Sequence, residues 1–473
     1  MSTPASGSPT RNDADAARAE DRAGSRDDGS DNDLRAARVN LVYDVDDVPP
    51  LRTAVPLGVQ HVLAMFLSNI AVPLIIANAI GLAAGDRPRL VQIALVMAGL
   101  ATIIQAYPLG LIGARIPMVM GTSFAFLGGI ISIATQYNLE TALGACMVAA
   151  VVEVIMGLGY TRIARIFPPL TAAIVVILIG LTLVPVGLDY AAGGVAADDY
   201  GAAHHLLIAG VVFVITLLLN QLGRGFLSYA SIIIGAAVGY LLALGLGLVD
   251  FSRVAQYDWF SLPRPLPFGL SFELTPILLM SFIYVISGLE TMGDISATTA
   301  ALGRLPRTRE MRGGLIADGV MSALAPIFGA FPNTSYSQNV GLIHFTGVAS
   351  RYVAGVGGLI LVGLGLIPKV GAAVATIPPA VIGGAGLIMF SMIFAGGVSI
   401  LRHRVVLTQR NLVILAVSVG LGLAVQFRPN VLVQAPDWVR TLFGQGLVAG
   451  GLTGLILNLV IPDRADDPDA GRG

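Results

Sequence analysis

Between residues 55 and 461 the sequence alternates long apolar runs with short polar or proline-containing breaks. Runs such as residues 90–107, 203–222 and 442–461 approach or reach the roughly 20 apolar residues that cross a bilayer as α-helix. The pattern predicts spans over residues 55–80, 90–109, 141–160, 168–188, 203–222 and 229–249, then 273–298, 313–330, 350–368, 373–397, 410–427 and 442–461. Segments 113–134 and 332–347 differ: they are too polar and too interrupted for ordinary spanning helices, yet spanning runs enclose both. Counting them as crossings, the expectation is an all-α polytopic membrane protein with 14 transmembrane segments.

The second interrupted segment is the more informative. Pro332 ends the preceding helix, and Ser335, Ser337, Gln338 and Asn339 then bring polar side chains to bilayer depth. Irregular backbone survives there only when buried in protein or lining a wet cavity. The first segment echoes it, with Ile116-Pro117 followed by Met-Val-Met-Gly-Thr-Ser-Phe against Phe331-Pro332 followed by Asn-Thr-Ser-Tyr-Ser. Residues 167–173 (Phe-Pro-Pro-Leu-Thr-Ala-Ala) likewise match 377–383 (Ile-Pro-Pro-Ala-Val-Ile-Gly). Both offsets are about 210–215 residues, which predicts two halves of seven segments. Seven is odd, so the second half enters the membrane inverted, and paired broken segments in inverted halves point to a midplane site.

Composition agrees. Only 12% of residues are charged and the mean hydropathy is +0.79, against roughly 25% charged residues in a soluble domain. That argues against a water-soluble helical bundle, and the expected surroundings are lipid, with no nucleic acid. Residues 1–50 carry 11 Asp and Glu against 6 Arg among Ser and Gly, and read as a disordered acidic cytoplasmic tail without a signal-peptide core. Residues 462–473 read as a second cytoplasmic tail. With the N-terminus inside, twelve Arg, among them Arg162, Arg224, Arg351 and Arg404, fall in cytoplasmic loops and seven basic residues fall opposite. That bias predicts a multi-pass protein of the cytoplasmic membrane with both termini cytoplasmic. The single cysteine, Cys146, excludes an internal disulfide.

Chemistry gathers in residues 280–300, where Glu290 and Asp294 lie four apart on one face of a predicted spanning helix. Each acid costs roughly 2.5–3.5 kcal/mol to insert, and two charges at that spacing repel. One of them is expected to hold a proton or to find a donor partner, which is what a proton-coupled carrier requires. Asp318 is a third intramembrane acid, expected to pair with Glu290 or Asp294 through a shared proton or hydroxyls. Glu153 is a fourth, with no partner evident in its own flanks, and His61 is expected to orient one of the acids. The Gln338 and Asn339 amides offer acceptor and donors together and suit the edge of a flat heterocycle beside a carboxylate. Gly341 allows close backbone approach, and free N–H groups at the start of the short helix are expected to donate to a ligand. In the first segment Phe124 or Phe126 is a candidate stacking ring. No Cys/His cluster, phosphate-binding loop or His–Asp partner for Ser123 or Ser335 is evident, so neither enzyme activity, a metal nor a cofactor is expected, beyond a co-transported proton.

At these residues the chain resembles the nucleobase–ascorbate transporter family, the second type of nucleobase–cation symporter. Gln338-Asn339-Val340-Gly341, four residues, then Thr346-Gly347 fits the family signature throughout. Gln60-His61, Thr122-Ser123-Phe124, Glu290-Thr-Met-Gly-Asp294 and Ala317-Asp318-Gly319 match in order across residues 54–461. The resemblance implies a core domain (51–160 and 273–368), a gate domain (161–250 and 373–461), and short strands in broken segments 3 and 10. It implies that Glu290 and Gln338 hold the base edge, with Ser123, Phe124 and Gly341 also at the substrate. Asn339 and Asp294 would stabilise the site, while His61 and Asp318 tune affinity or proton coupling. Proton symport and a homodimer are implied as well. Gln rather than Glu at 338 points to xanthine or uric acid, with uracil or another nucleobase as the alternative. A sulfate- or bicarbonate-type anion transporter of the same architecture is the rival reading. His344 departs from the usual variable positions and would shift specificity only if it faced the pocket.

Overall fold

The protein is described by a computed structural model covering residues 41–163, 169–195, 197–252 and 254–462. Most of the expected acidic tail, Phe167-Pro168 of the repeat match, Arg165, Arg253 and all but the first residue of the C-terminal tail lie outside the described residues. The principal helices are α1 (Leu51–Ala79), α2 (Arg87–Ala106), α3 (Leu127–Gln136), α4 (Leu139–Leu158, interrupted at Ala150), α5 (Pro169–Ala191), α6 (Ala203–Leu222), α7 (Ser231–Gly245) and α8 (Leu274–Ala301). They continue with α9 (Thr308–Leu324), α10 (Gln338–Thr346), α11 (Arg351–Gly365), α12 (Pro368–Ala375), α13 (Pro379–Arg404), α14 (Gln409–Phe427) and α15 (Gly446–Val460). Two strands, β1 (Met120–Thr122) and β2 (Asn333–Ser335), precede α3 and α10.

Among the described residues eight helices are long and apolar enough to cross a membrane, or nine if the bent pair α11–α12 counts as one span. Helices α7 and α15 are apolar but shorter. The expected span over 373–397 is corrected. Pro368 starts α12, which turns 82° from α11, and the crossing helix α13 begins only at Pro379. Proline fits the first helical turn, where its missing N–H costs nothing, and disfavours helical backbone in the residue before it. Helix α5 likewise begins at Pro169.

The packing has a paired character. Helix α5 runs along α13; α2 packs on α11 as α4 packs on α9; and α6 packs on α7 as α14 packs on α15. The strands join the two halves of the chain directly. β1 and β2 pair antiparallel with Met120 opposite Ser335, Gly121 opposite Thr334 and Thr122 opposite Asn333. Side chains from neighbouring helices satisfy the outer strand groups. Met120 N donates to Thr102 Oγ1 at 2.9 Å, Thr122 N to Asn69 Oδ1 at 2.7 Å, and Asn333 N to Ser322 Oγ at 3.0 Å. Tyr336 adds an O–H bond to the Thr122 carbonyl at 2.8 Å. Buried backbone that leaves the helix must be paired in this way, because lipid offers no substitute for water.

Close helix contacts rest on small residues, as expected where apolar burial cannot drive association. At the α2–α11 crossing a Cβ on Gly99 would stand 2.5 Å from the Gly358 carbonyl oxygen, and one on Gly358 would stand 2.8 Å from that of Gly99. Gly210, in the middle of α6, has nothing within 4 Å of the same position. Gly99→Ala is therefore expected to cost about 1–3 kcal/mol through overpacking. Gly210→Ala should be neutral or stabilising, since alanine is the better helix former. Thermal unfolding of both purified variants checks this; equal midpoints would contradict the crossing.

Candidate functional site

A cavity of about 720 Å³ lies beside the strand pair. Glu290 and Asp294 reach it from α8, and Ser337, Gln338 and Gly341 from the start of α10. Helices α5 and α13 close the other side with Ala172, Val176, Met392 and Ile393. Tyr160, Asn220, Ser228 and Arg404 bring the cavity out to the end of the bundle where α4, α6 and α13 terminate. The result is an apolar slot with two acids and an amide at its deep end and a cation at its mouth.

The two acids occupy different surroundings. Asp294 Oδ2 accepts a 2.6 Å bond from the Ser335 hydroxyl, so β2 holds that carboxyl. Glu290 is less enclosed than Asp294 and lines the same cavity. Gln338 stands in the first turn of α10, and the β2 backbone and Ser337 fix where that turn begins. Asn339 N and Val340 N already donate to Tyr336 O and Ser337 O, so those amides are not free for a ligand, contrary to the expectation from the helix start.

Of the nine candidate residues, Glu290, Asp294, Gln338 and Gly341 line the cavity and five stand away from it. His61 Nδ1 lies 2.9 Å from Asn339 Oδ1, so α1 braces α10 and His61 orients an amide rather than an acid. Asp318 accepts from the Thr291 hydroxyl, which places it behind α8 and not against Glu290 or Asp294 through a direct bond. Ser123 Oγ accepts from Ala125 N, and its backbone N donates to Pro332 O, making it a cap and a strand-end link. Phe124 is buried edge-on against Phe390, ring centroids 5.3 Å apart, and lines a separate hollow of about 60 Å³. Phe126 packs against Tyr284. His344 is exposed and outside the cavity lining.

Sequence reading did not foresee the braces Asn69, Thr102, Thr291, Ser322 and Tyr336. The available signal was a polar residue inside an apolar span, which Asn69 and Thr102 both show. Glu153 does have surroundings: its fully buried carboxyl on α4 faces Ser287 and Asp318, although neither of its oxygens makes a hydrogen bond.

A model of the Permease family matches residues 52–431. A Clostridium perfringens protein provisionally named a purine permease is 41% identical over 430 residues, covering 91% of this chain and 95% of that protein. Xanthine permease XanP of Escherichia coli K12 is 38% identical over 440 residues, covering 89% of this chain and 95% of that one. Among solved structures, the transmembrane domain of the cyanobacterial bicarbonate transporter BicA aligns with a TM-score of 0.58 at 14% identity, over 88% of this chain and 100% of that chain. At that identity the likeness speaks for the fold alone.

The geometry makes a labelling prediction. Ser337→Cys, on the exposed cavity wall, should react with a small maleimide, and Ser123→Cys, buried behind the strands, should not. The single native thiol, Cys146, is fully buried and gives little background. Intact-protein mass measurement reads the outcome, and equal labelling of the two variants would contradict a cavity that opens at Ser337 and not at Ser123.

Proposed function

The chain belongs to the permease family of nucleobase–cation symporters, and on that premise we propose that it imports an oxidised purine base, xanthine or uric acid, together with a proton. It is a membrane transporter and not an enzyme. The observation that carries the substrate reading is the shared cavity of Glu290 and Gln338, two groups 48 positions apart in sequence. A carboxylate accepts from ring N–H groups, and an amide answers an adjacent carbonyl and N–H together. The apolar walls suit a flat ring, and Gly341 leaves room for it against the helix. The relatives named xanthine and purine permeases support the same substrate class.

Residues 51–160 and 273–368 read as a core, and 161–250 with 373–461 as a gate that moves against it. The paired packing of α2–α11 with α4–α9, and of α6–α7 with α14–α15, supports a repeat of seven and seven segments. With both termini in the cytoplasm, the mouth beside Arg404 faces inward, and the conformation is the one that releases substrate. Glu290 and Asp294 are the groups through which a proton is exchanged, and the His61–Asn339 and Asp318–Thr291 pairs hold the surrounding helices in register. A homodimer is the assembly we expect. An anion carrier of the same fold is disfavoured by chemistry, since the deep end of the cavity carries acids and its one lining cation sits at the rim.

In cells without endogenous purine carriers, the protein should confer saturable uptake of radiolabelled xanthine or urate that rises as external pH falls and collapses with a protonophore. Glu290→Gln and Gln338→Ala should each cut that uptake at least tenfold, in line with the ~1.5–3 kcal/mol of a hydrogen bond to a charged group for the first. Surface levels of the protein should stay unchanged. Full uptake by either variant would place the substrate elsewhere.

A further inference from the structure

A second cluster lies at the far end of α6 from the cavity mouth. Asp199, in the α5–α6 connection, and His204 and His205, in the first turn of α6, turn their side chains to one point. Asp199 Oδ2 stands 3.1 Å from His204 Nε2 and 3.0 Å from His205 Nε2, and the three atoms lie within 4.8 Å of one another. We propose that Asp199, His204 and His205 form a binding site for a borderline divalent cation of the zinc class, with one coordination position left open.

Three features separate this cluster from a chance meeting of polar side chains. The first is spacing. Zinc bonds of about 2.0–2.1 Å in a tetrahedron set neighbouring ligand atoms ~3.3 Å apart, close to both Asp–His separations here. The second is an unspent ligand atom: His204 Nε2 is buried and makes no hydrogen bond despite its closeness to Asp199 Oδ2, the same oxygen that His205 Nε2 meets. Neighbouring helical residues point about 100° apart, yet these two rings stand 4.1 Å apart at their centroids. The third is a built cradle. Gly193 has a φ of +105°, and a Cβ there would meet His205 Cδ2 at 2.6 Å and Nε2 at 2.8 Å. Only glycine takes that backbone angle readily and leaves the imidazole its place.

The loop is also held in shape around the cluster. Gly201 N donates to Ala192 O, Ala202 N to Asp199 O, and the Tyr200 hydroxyl to Asp189 Oδ1. The two imidazoles and one carboxylate form a mixed N/O set of the kind zinc accepts with a fourth position open to water. The site lies about 22 Å along α6 from Asn220 at the cavity mouth, so it is separate from the substrate site and does not depend on which base is carried. Bound there, an ion ties the α5–α6 connection to α6. The sequence alone hides this because Asp199 stands five residues before the histidines, in a loop whose path nothing local predicts.

The test uses the full chain in detergent, purified through a tag that contains no histidine, stripped with chelator and titrated with Zn²⁺ by calorimetry. One ion per chain is expected. His205→Ala, Asp199→Asn and Gly193→Ala should each weaken binding at least tenfold, and His344→Ala should leave it unchanged. Asp199 is exposed, so its variant keeps the test open if a histidine variant misfolds. Co²⁺ substitution should give the intense visible absorption of tetrahedral nitrogen–oxygen coordination. Binding that survives both Asp199→Asn and His205→Ala, or no stoichiometric binding by the unaltered protein, would overturn the site and leave an Asp–His hydrogen bond in its place.

Discussion

The structure depends on how two stretches of non-helical backbone are satisfied inside an apolar bundle. Residues 120–122 and 333–335 leave the helical hydrogen-bond ladder where no water replaces it, and each supplies what the other lacks through antiparallel pairing. Thr102 and Ser322 close the outer edges of β1 and β2 from α2 and α9, and Asn69 reaches in from α1. The cost of unpaired amides at that depth is large enough that these polar residues are part of the fold before they are part of any site. Because only four residues separate β1 from α3 and two separate β2 from α10, the same pairing positions the start of both short helices.

Site geometry follows from that anchor. Ser335 in β2 bonds Asp294, and Gln338 comes three residues later at the first turn of α10. One carboxyl of the pair on α8 is thereby committed to a strand, and both acids line the cavity. His61 on α1 and Thr291 on α8 secure Asn339 and Asp318 behind the lining. The proposed binding groups are thus few and the braces many, as expected where a site must be held in a narrow geometry by the residues around it.

Glycine has a corresponding part in the helix layers. Backbones approach closely at Gly99–Gly358, and a Cβ on Gly180 of α5 would stand 2.5 Å from the Phe394 amide nitrogen of α13. Close approach lets long helices gain dispersion contact without an apolar driving force from solvent. Other glycines have different parts, on open helix faces as at Gly210 or at positive φ as at Gly193.

Much of this was legible in the primary structure. Apolar run length places the eight long apolar helices, and the Pro-containing breaks mark segments 113–134 and 332–347 as exceptional, because hydropathy and proline act locally. Glu290, Asp294, Gln338 and Gly341 could be singled out because ionisable or flexible groups inside apolar runs are costly unless used. Partnership was not legible. His61 meets Asn339 across 278 positions, Ser335 meets Asp294 across 41, and Phe124 turns to Phe390 instead of the cavity. Such meetings are set by helix crossing and rotation, which depend on side-chain volume summed over the whole bundle and leave no periodic trace in any one segment. Residue type alone determined that buried polar groups would need partners; the packed helices decided which partners they met.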